Sequence, residues 1–213
     1  MLSTQDSPKT KRRAYLIWTH PRADSLTAQV VAGIKQELQQ HDVEVAELDL
    51  YRHGFNPVLG EEDEPDWANP DKRYSEQVME LAAELKGSDF GIVVFPLWWY
   101  GMPAMLKGYL DRVWNYGLTY GAGRTLPFSK LRWITLVGGG QQEFEGWGNP
   151  DNMRHLLNGS IAGYGGVKDA EIEFMYNTIG PEEGSDAADH YAALIAQARA
   201  AMVRMLEPAI APA

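Results

Sequence analysis

Three stretches of the chain are almost continuously apolar: Ala14–Trp18, Phe90–Phe95 and Leu131–Val137. Runs of that length and composition read as strands buried on both faces of a sheet. Two others, Val43–Leu50 and Asp169–Tyr176, alternate polar and apolar positions and read as edge strands. Between them the apolar period changes to that of a helix. Leu26, Val30, Ile34 and Leu38 form one stripe; Val78, Leu81, Ala82 and Leu85 form a second over 75–86. A third helix follows Pro103, which suits its first position. Met153, Leu156, Leu157 and Ile161 mark a fourth, and Tyr191, Leu194, Ile195, Ala198 and Met202 a fifth over 185–206. Ser25 or Asp24 is the expected cap of the first helix, Gly87 the stop of the second and Asp151 the cap of the fourth.

Strand and helix thus alternate five times, and right-handed crossovers place helices on both faces of a parallel sheet. With the second and fifth strands at the edges, the expected fold is α/β, a flavodoxin-like three-layer sandwich with a five-stranded parallel sheet in the order 2-1-3-4-5. One domain is expected over 14–206, with a flexible tail at 1–13 and a frayed end at 207–213. The Glu61–Glu64 cluster of the connection 52–73 reads as a solvated face rather than a metal site, and the length of the connection points to a lid or dimer contact. From Gly138 to Pro150 the chain reads as a glycine-rich loop.

The 2-1-3-4-5 order brings three outgoing loops, 19–25, 96–102 and 138–149, to one crevice at the strands' C-terminal ends, where open α/β sheets bind ligands. The first loop has neither a G-x-G-x-x-G dinucleotide fingerprint nor a P-loop. It does end on a helix start with hydroxyls at Ser25 and Thr27 and with His20 and Arg22 upstream. Free amides and a positive dipole end can hold a phosphate there. The second loop, Phe95-Pro-Leu-Trp-Trp-Tyr-Gly-Met-Pro103, offers flat aromatic surface. The third begins with Gly138-Gly-Gly140, where backbone amides can approach a ligand closely. Phosphate grip, aromatic wall and anion-stabilising amides together suit a flavin.

Composition narrows the field further. A formal net charge of -10 argues against nucleic acid or an anionic membrane as a partner. The absence of cysteine excludes disulfides, thiolate metal sites and a cysteine nucleophile. No segment approaches a membrane span, and the polar N-terminus lacks signal-peptide character, so a cytoplasmic protein without membrane insertion is expected.

The segments Tyr15–Ser25, Phe95–Trp114, Leu118–Gly121 and Val137–Gly140 resemble the NAD(P)H:quinone oxidoreductase family of flavodoxin-like flavoproteins, and Phe-Pro-Leu-x-Trp at 95–99 is its most specific mark. The resemblance implies a homodimer, bound FAD with FMN as the alternative, and NAD(P)H as co-substrate. It also implies two-electron ping-pong hydride transfer to quinones or similar acceptors, azo and nitro compounds among them. Carried over by position, His20, Ser25, Leu26 and Thr27 would serve the phosphate and ribityl side. Pro96, Leu97, Trp98, Trp99 and Tyr100 would line the ring, with the amides of 98–100 at its polar edge. Gly138, Gly139 and Phe144 would flank it. Tyr120 would close the substrate pocket from the partner subunit. Mammalian members carry a Tyr and a His in the loop after strand four; Phe144 and Asn149 (or Pro150) stand there, so Asn149 is the candidate beside a Phe144 that cannot donate a proton. Two other readings are an ancillary regulatory flavoprotein of a potassium-efflux transporter and a one-electron flavodoxin carrier. Against the second stands a first loop without that carrier's hydroxyl-and-glycine phosphate loop.

Overall fold

The computed structural model describes residues 11–208. Its sheet has five parallel strands: β1 Arg13–Trp18, β2 Glu44–Asp49, β3 Phe90–Pro96, β4 Lys130–Leu136 and β5 Asp169–Met175. They lie in the order β2-β1-β3-β4-β5, as the edge character of the alternating segments predicts. Register runs in step across the middle, with Leu16 beside Ile92 and Val93 beside Trp133.

The period-2 alternation of side chains splits the core into two layers. Ala14, Leu16 and Trp18 of β1 join Ile92, Val94 and Ile134 under α1 (Leu26–Gln40) and α6 (Ala187–Leu206). Tyr15, Ile17, Val93, Phe95 and Trp133 face α2 (Glu76–Leu85) and α3 (Ala104–Val113). Helices α1 and α6 are clamped by Arg199 Nε on Glu37 Oε2 at 2.7 Å and by close packing of Ile195 on Gly33. Among the described residues no helix is long and apolar enough to cross a membrane.

Several expectations need correction. Arg13, assigned to the tail, opens β1: its backbone N–H donates to Asp89 Oδ2 at 2.8 Å and its guanidinium to the Glu84 and Lys86 carbonyls. Glu207, assigned to the frayed end, accepts from Lys130 Nζ through its carbonyl at 2.7 Å. The rest of those two segments, 1–10 and 209–213, lies outside the described residues.

The loop expected to reach Pro150 contains α4 (Gln141–Gly146), and α5 (Asn149–Arg154) begins two residues before Asp151, which sits in its first turn. From His155 to Ala162 the helix widens to π geometry. The buried residues Met153, Leu157 and Ala162 are therefore four and five apart, and Leu156, expected inward, is exposed.

The acidic cluster of the long connection is not simply a solvated face. Asp63 lies in a 3₁₀ turn, Glu61–Asp63, and is fully buried. Its Oδ2 accepts from Arg112 Nη2 at 2.7 Å and Nε at 3.0 Å, and from Ser75 Oγ at 2.9 Å. Arg112 also donates to the Asn56 carbonyl and to Gln77 Oε1. A charge can be buried when it is paired and hydrogen-bonded on this scale, which four consecutive acidic letters do not reveal. The connection is consequently fixed against α3, close enough that Gly108 has no room for a Cβ beside Pro57.

Candidate active site

Two adjoining concavities open at the C-terminal ends of β1, β3 and β4, of about 280 and about 240 Å³, sharing Leu97 and Gly138. Together they fall within the roughly 300–1,000 Å³ of ordinary small-molecule sites. The first is bounded by His20, Leu26 and Thr27 on one side and Pro96–Trp98 on the other. The second runs between Trp99 and Tyr100, the Gly138–Gly140 backbone and Phe144. The three loops expected to converge do converge.

At the first end, Ser25 caps α1, its hydroxyl accepting from the Ala28 amide at 3.2 Å. The amides of Leu26 and Thr27, the first two residues of α1, are without an intrahelical acceptor, and both residues line the first concavity. His20 Nδ1 accepts from the Arg22 amide at 3.1 Å, which leaves the proton of a neutral ring on Nε2. Burial, followed by the nearby Arg22 and Arg52 charges, lowers its pKa below the usual range. Arg52, from the long connection, holds this loop in place through the His20 and Pro21 carbonyls while its guanidinium lies over Trp18. Arg22 is paired bidentately with Asp24.

The aromatic wall is built on a two-residue turn. Trp98 and Gly101 exchange both backbone hydrogen bonds, at 3.2 and 3.0 Å, and the central residues Trp99 and Tyr100 have φ of 50° and 57°. Both positive values are the type I′ pattern, which favours Asn-Gly. Here two bulky aromatics occupy it, at about 1–2 kcal/mol each. Strain of this kind concentrates at functional sites. The Trp98 amide, expected at a ring edge, is used by the turn; those of Trp99 and Tyr100 donate to no protein group among the described residues. Trp99 is 98 % exposed and Trp98 41 %, so neither is sealed in the core. Tyr100 stacks between Phe144 and Trp147, with ring centroids 6.2 and 6.5 Å away at 15° and 12°.

A fourth loop, which no motif marked, completes the wall. After β5 the chain bonds back to β4's exit, Asn177 N to the Gly139 carbonyl at 3.0 Å and Thr178 Oγ1 to Val137 O at 3.0 Å. This places Ile179, 84 % exposed, against Gly138, where a Cβ would lie 2.7 Å from its Cδ1. An apolar isoleucine set among the turn residues Asn177, Thr178, Gly180 and Pro181 is the signal the sequence offers.

Two candidates lie apart from the crevice in this chain. Tyr120 belongs to a separate aromatic group with Tyr116, Tyr164 and Trp67. Burial and the neighbouring phenols raise its pKa above the ordinary range, so it remains a phenol at neutral pH. Asn149 opens α5, with a buried side-chain amide that has no protein partner. Neither residue lines the two concavities.

The sheet order and crevice define a flavodoxin-like α/β protein, and the comparisons agree: the chain belongs to the family described as having the flavodoxin-like fold, matched over residues 12–199. It is 50 % identical over 187 residues to an uncharacterized NAD(P)H oxidoreductase, YcaK, of Escherichia coli, covering 88 % of this chain and 95 % of that protein. The solved NAD(P)H:quinone oxidoreductase of Methanothermobacter marburgensis superposes with a TM-score of 0.82 at 25 % identity, over 94 % of this chain and all of that one. An FMN-dependent NADH-azoreductase of Bacillus anthracis, solved with FMN, shares the fold at 16 % identity and TM-score 0.66, covering 92 % of this chain and 100 % of that one.

Proposed function

We propose that the protein is a flavin-dependent NAD(P)H:quinone oxidoreductase. The observation that carries this reading is the crevice itself: unpaired amides at both ends, a strained aromatic turn on one wall and close-approaching glycine backbone on the other. The residues fit a flavin. The α1 start, with Ser25, Leu26, Thr27 and His20, would hold its phosphate. Leu97, Trp98, Trp99 and Tyr100 would hold one side of the ring, and Gly138, Gly139 and Phe144 the other. A flavin bound there supplies two-electron hydride chemistry.

This chain's residues would orient donor and acceptor on the same open face in turn, the source of ping-pong kinetics. In the net reaction NAD(P)H gives a hydride, the solvent a proton, and a quinone becomes its hydroquinone. Amides of Trp99, Tyr100 and Gly139 favour negative charge at the ring edge, by the logic of an oxyanion hole. Phe144 and Tyr100 exclude water by stacking. Proton delivery from Phe144 is ruled out by its side chain.

The cofactor we propose is FAD, from the length of the 52–73 connection, with FMN as the alternative; the fold relative solved with FMN supports a flavin without distinguishing them. We further propose a homodimer in which the exposed group of Trp67 and Tyr164 is covered and Tyr120 reaches the partner's crevice. Its site of action would be the cytoplasm. The transporter-associated reading has no observation here in its favour.

The test is steady-state oxidation of NADH and NADPH with and without 1,4-naphthoquinone. Parallel double-reciprocal lines and quinone-dependent turnover are expected. No acceleration by any quinone, with flavin bound, would refute the activity.

A further inference from the structure

The charge around the crevice's ring end is one-sided. Glu143 lines the second concavity, and its Oε2 lies 3.9 Å from where a Cβ on Gly139 would stand. The shelf beyond Gly140 adds Glu145 and Glu182. None of the three makes an ion pair among the described residues: Glu145 accepts from Gln141 at 2.8 Å and Glu182 from Asn177 at 3.4 Å, both neutral amides. No Lys or Arg lines either concavity or the shelf. Arg22 of the first loop pairs with Asp24, and Arg154 of α5, which lines a neighbouring groove with Glu145, pairs with Asp151.

We infer that Glu143, backed by Glu145 and Glu182, selects the acceptor by the charge on its ring: aromatic acceptors with neutral or cationic rings enter the ring end of the crevice and those with an anionic group on the ring, such as sulfonated or carboxylated quinones, are turned away, whereas the phosphates of NAD(P)H are carried on a tail remote from its neutral nicotinamide ring. This rests on the proposed oxidoreductase reading and deepens it. Glu143 is solvent-exposed at the wall of the concavity, so it acts on an entering charge at close range but through screening solvent, and no Lys or Arg lining the crevice cancels its field. Rejection of the wrong ligand by an unpaired like charge is a common route to specificity. A neutral quinone of the same shape meets the same aromatic walls without that penalty.

The experiment compares 1,4-naphthoquinone with 1,4-naphthoquinone-2-sulfonate on the flavin-loaded enzyme, as kcat/KM and, separately, as equilibrium binding followed by tryptophan fluorescence. The quantity read is the neutral-to-anionic ratio in each variant, which cancels the difference in potential between the two compounds. Glu143→Gln should lower the ratio about three- to ten-fold at low salt, and Glu143→Lys further, with the effect shrinking at high salt. Glu44→Gln, at the opposite end of the sheet, should leave it unchanged. An unaltered ratio in both Glu143 variants, or an equal shift in Glu44→Gln, overturns the inference while turnover of 1,4-naphthoquinone upholds the activity. Absence of turnover with both quinones removes the activity; the binding ratios then still decide whether Glu143 discriminates charge.

Discussion

Arg112 and Asp63, 49 positions apart, meet at 2.7 Å with both side chains almost wholly buried. Through this pair the long acidic connection is fastened to α3, and through Arg52 at its start the same connection holds the His20 loop at the crevice. Its role in the chain is to brace the site.

Removing one partner leaves the other charge buried and alone, which costs about 3–5 kcal/mol. Arg112→Met or Asp63→Leu should each lower the urea midpoint by that equivalent. The double variant should recover much of the loss, because a buried ion pair is replaceable by apolar packing. Equilibrium denaturation of the three variants checks it; additive losses would mean that the pair is not the unit.

Trp99 and Tyr100 occupy left-handed positions that Asn and Gly would fill without strain. Trp99→Asn with Tyr100→Gly relieves both strained positions and should therefore raise stability by up to about 2–4 kcal/mol while weakening flavin and quinone binding. Opposite signs in thermal denaturation and flavin titration are the expected signature. A variant that loses stability would show that the aromatic stack on Phe144 and Trp147 outweighs the turn.

Ser25 separates capping from phosphate binding. Ser25→Ala should cost about 1 kcal/mol of stability through the lost cap on Ala28. Ser25→Asp should keep the helix capped, since Asp is an equally good N-cap, yet repel a phosphate. Flavin affinity unchanged in Ser25→Asp would place the phosphate elsewhere.

His20 carries a pH prediction. Burial and two neighbouring guanidinium groups lower its native pKa below the usual 6.5. In acid the unfolded chain therefore takes up this proton first, so stability rises with pH through the window. The contribution is complete above about 6.5 and is lost as pH falls through the lower native value. A phosphate bound nearby should move the titration upward. Imidazole resonances followed by NMR, with and without FMN, report both effects.

Much of this was legible in the sequence because strands and loops announce themselves locally. Continuous against alternating apolar runs fixed which strands are central, and the order then forced loops 19–25, 96–102 and 138–149 together. What escaped was set by distance or by strain. Asp63 reads as one acid among four until Arg112 arrives from α3. Trp99 and Tyr100 contradict the turn's own preference, so no propensity argument finds it. A period of 3.6 puts Leu156 inward, and the π-helical stretch does not keep that period. Ile179 lies in a turn with no motif, and only the hydrogen bonds to Val137 and Gly139 bring it to the crevice.

The most direct measurement is the stoichiometry of flavin binding. The purified chain, stripped of small molecules, is titrated with FMN and with FAD while flavin fluorescence is followed. Saturation at one flavin per chain, with emission quenched by the aromatic wall and restored in Trp99→Ala, is the predicted result. Free emission at every concentration of both flavins would contradict the account.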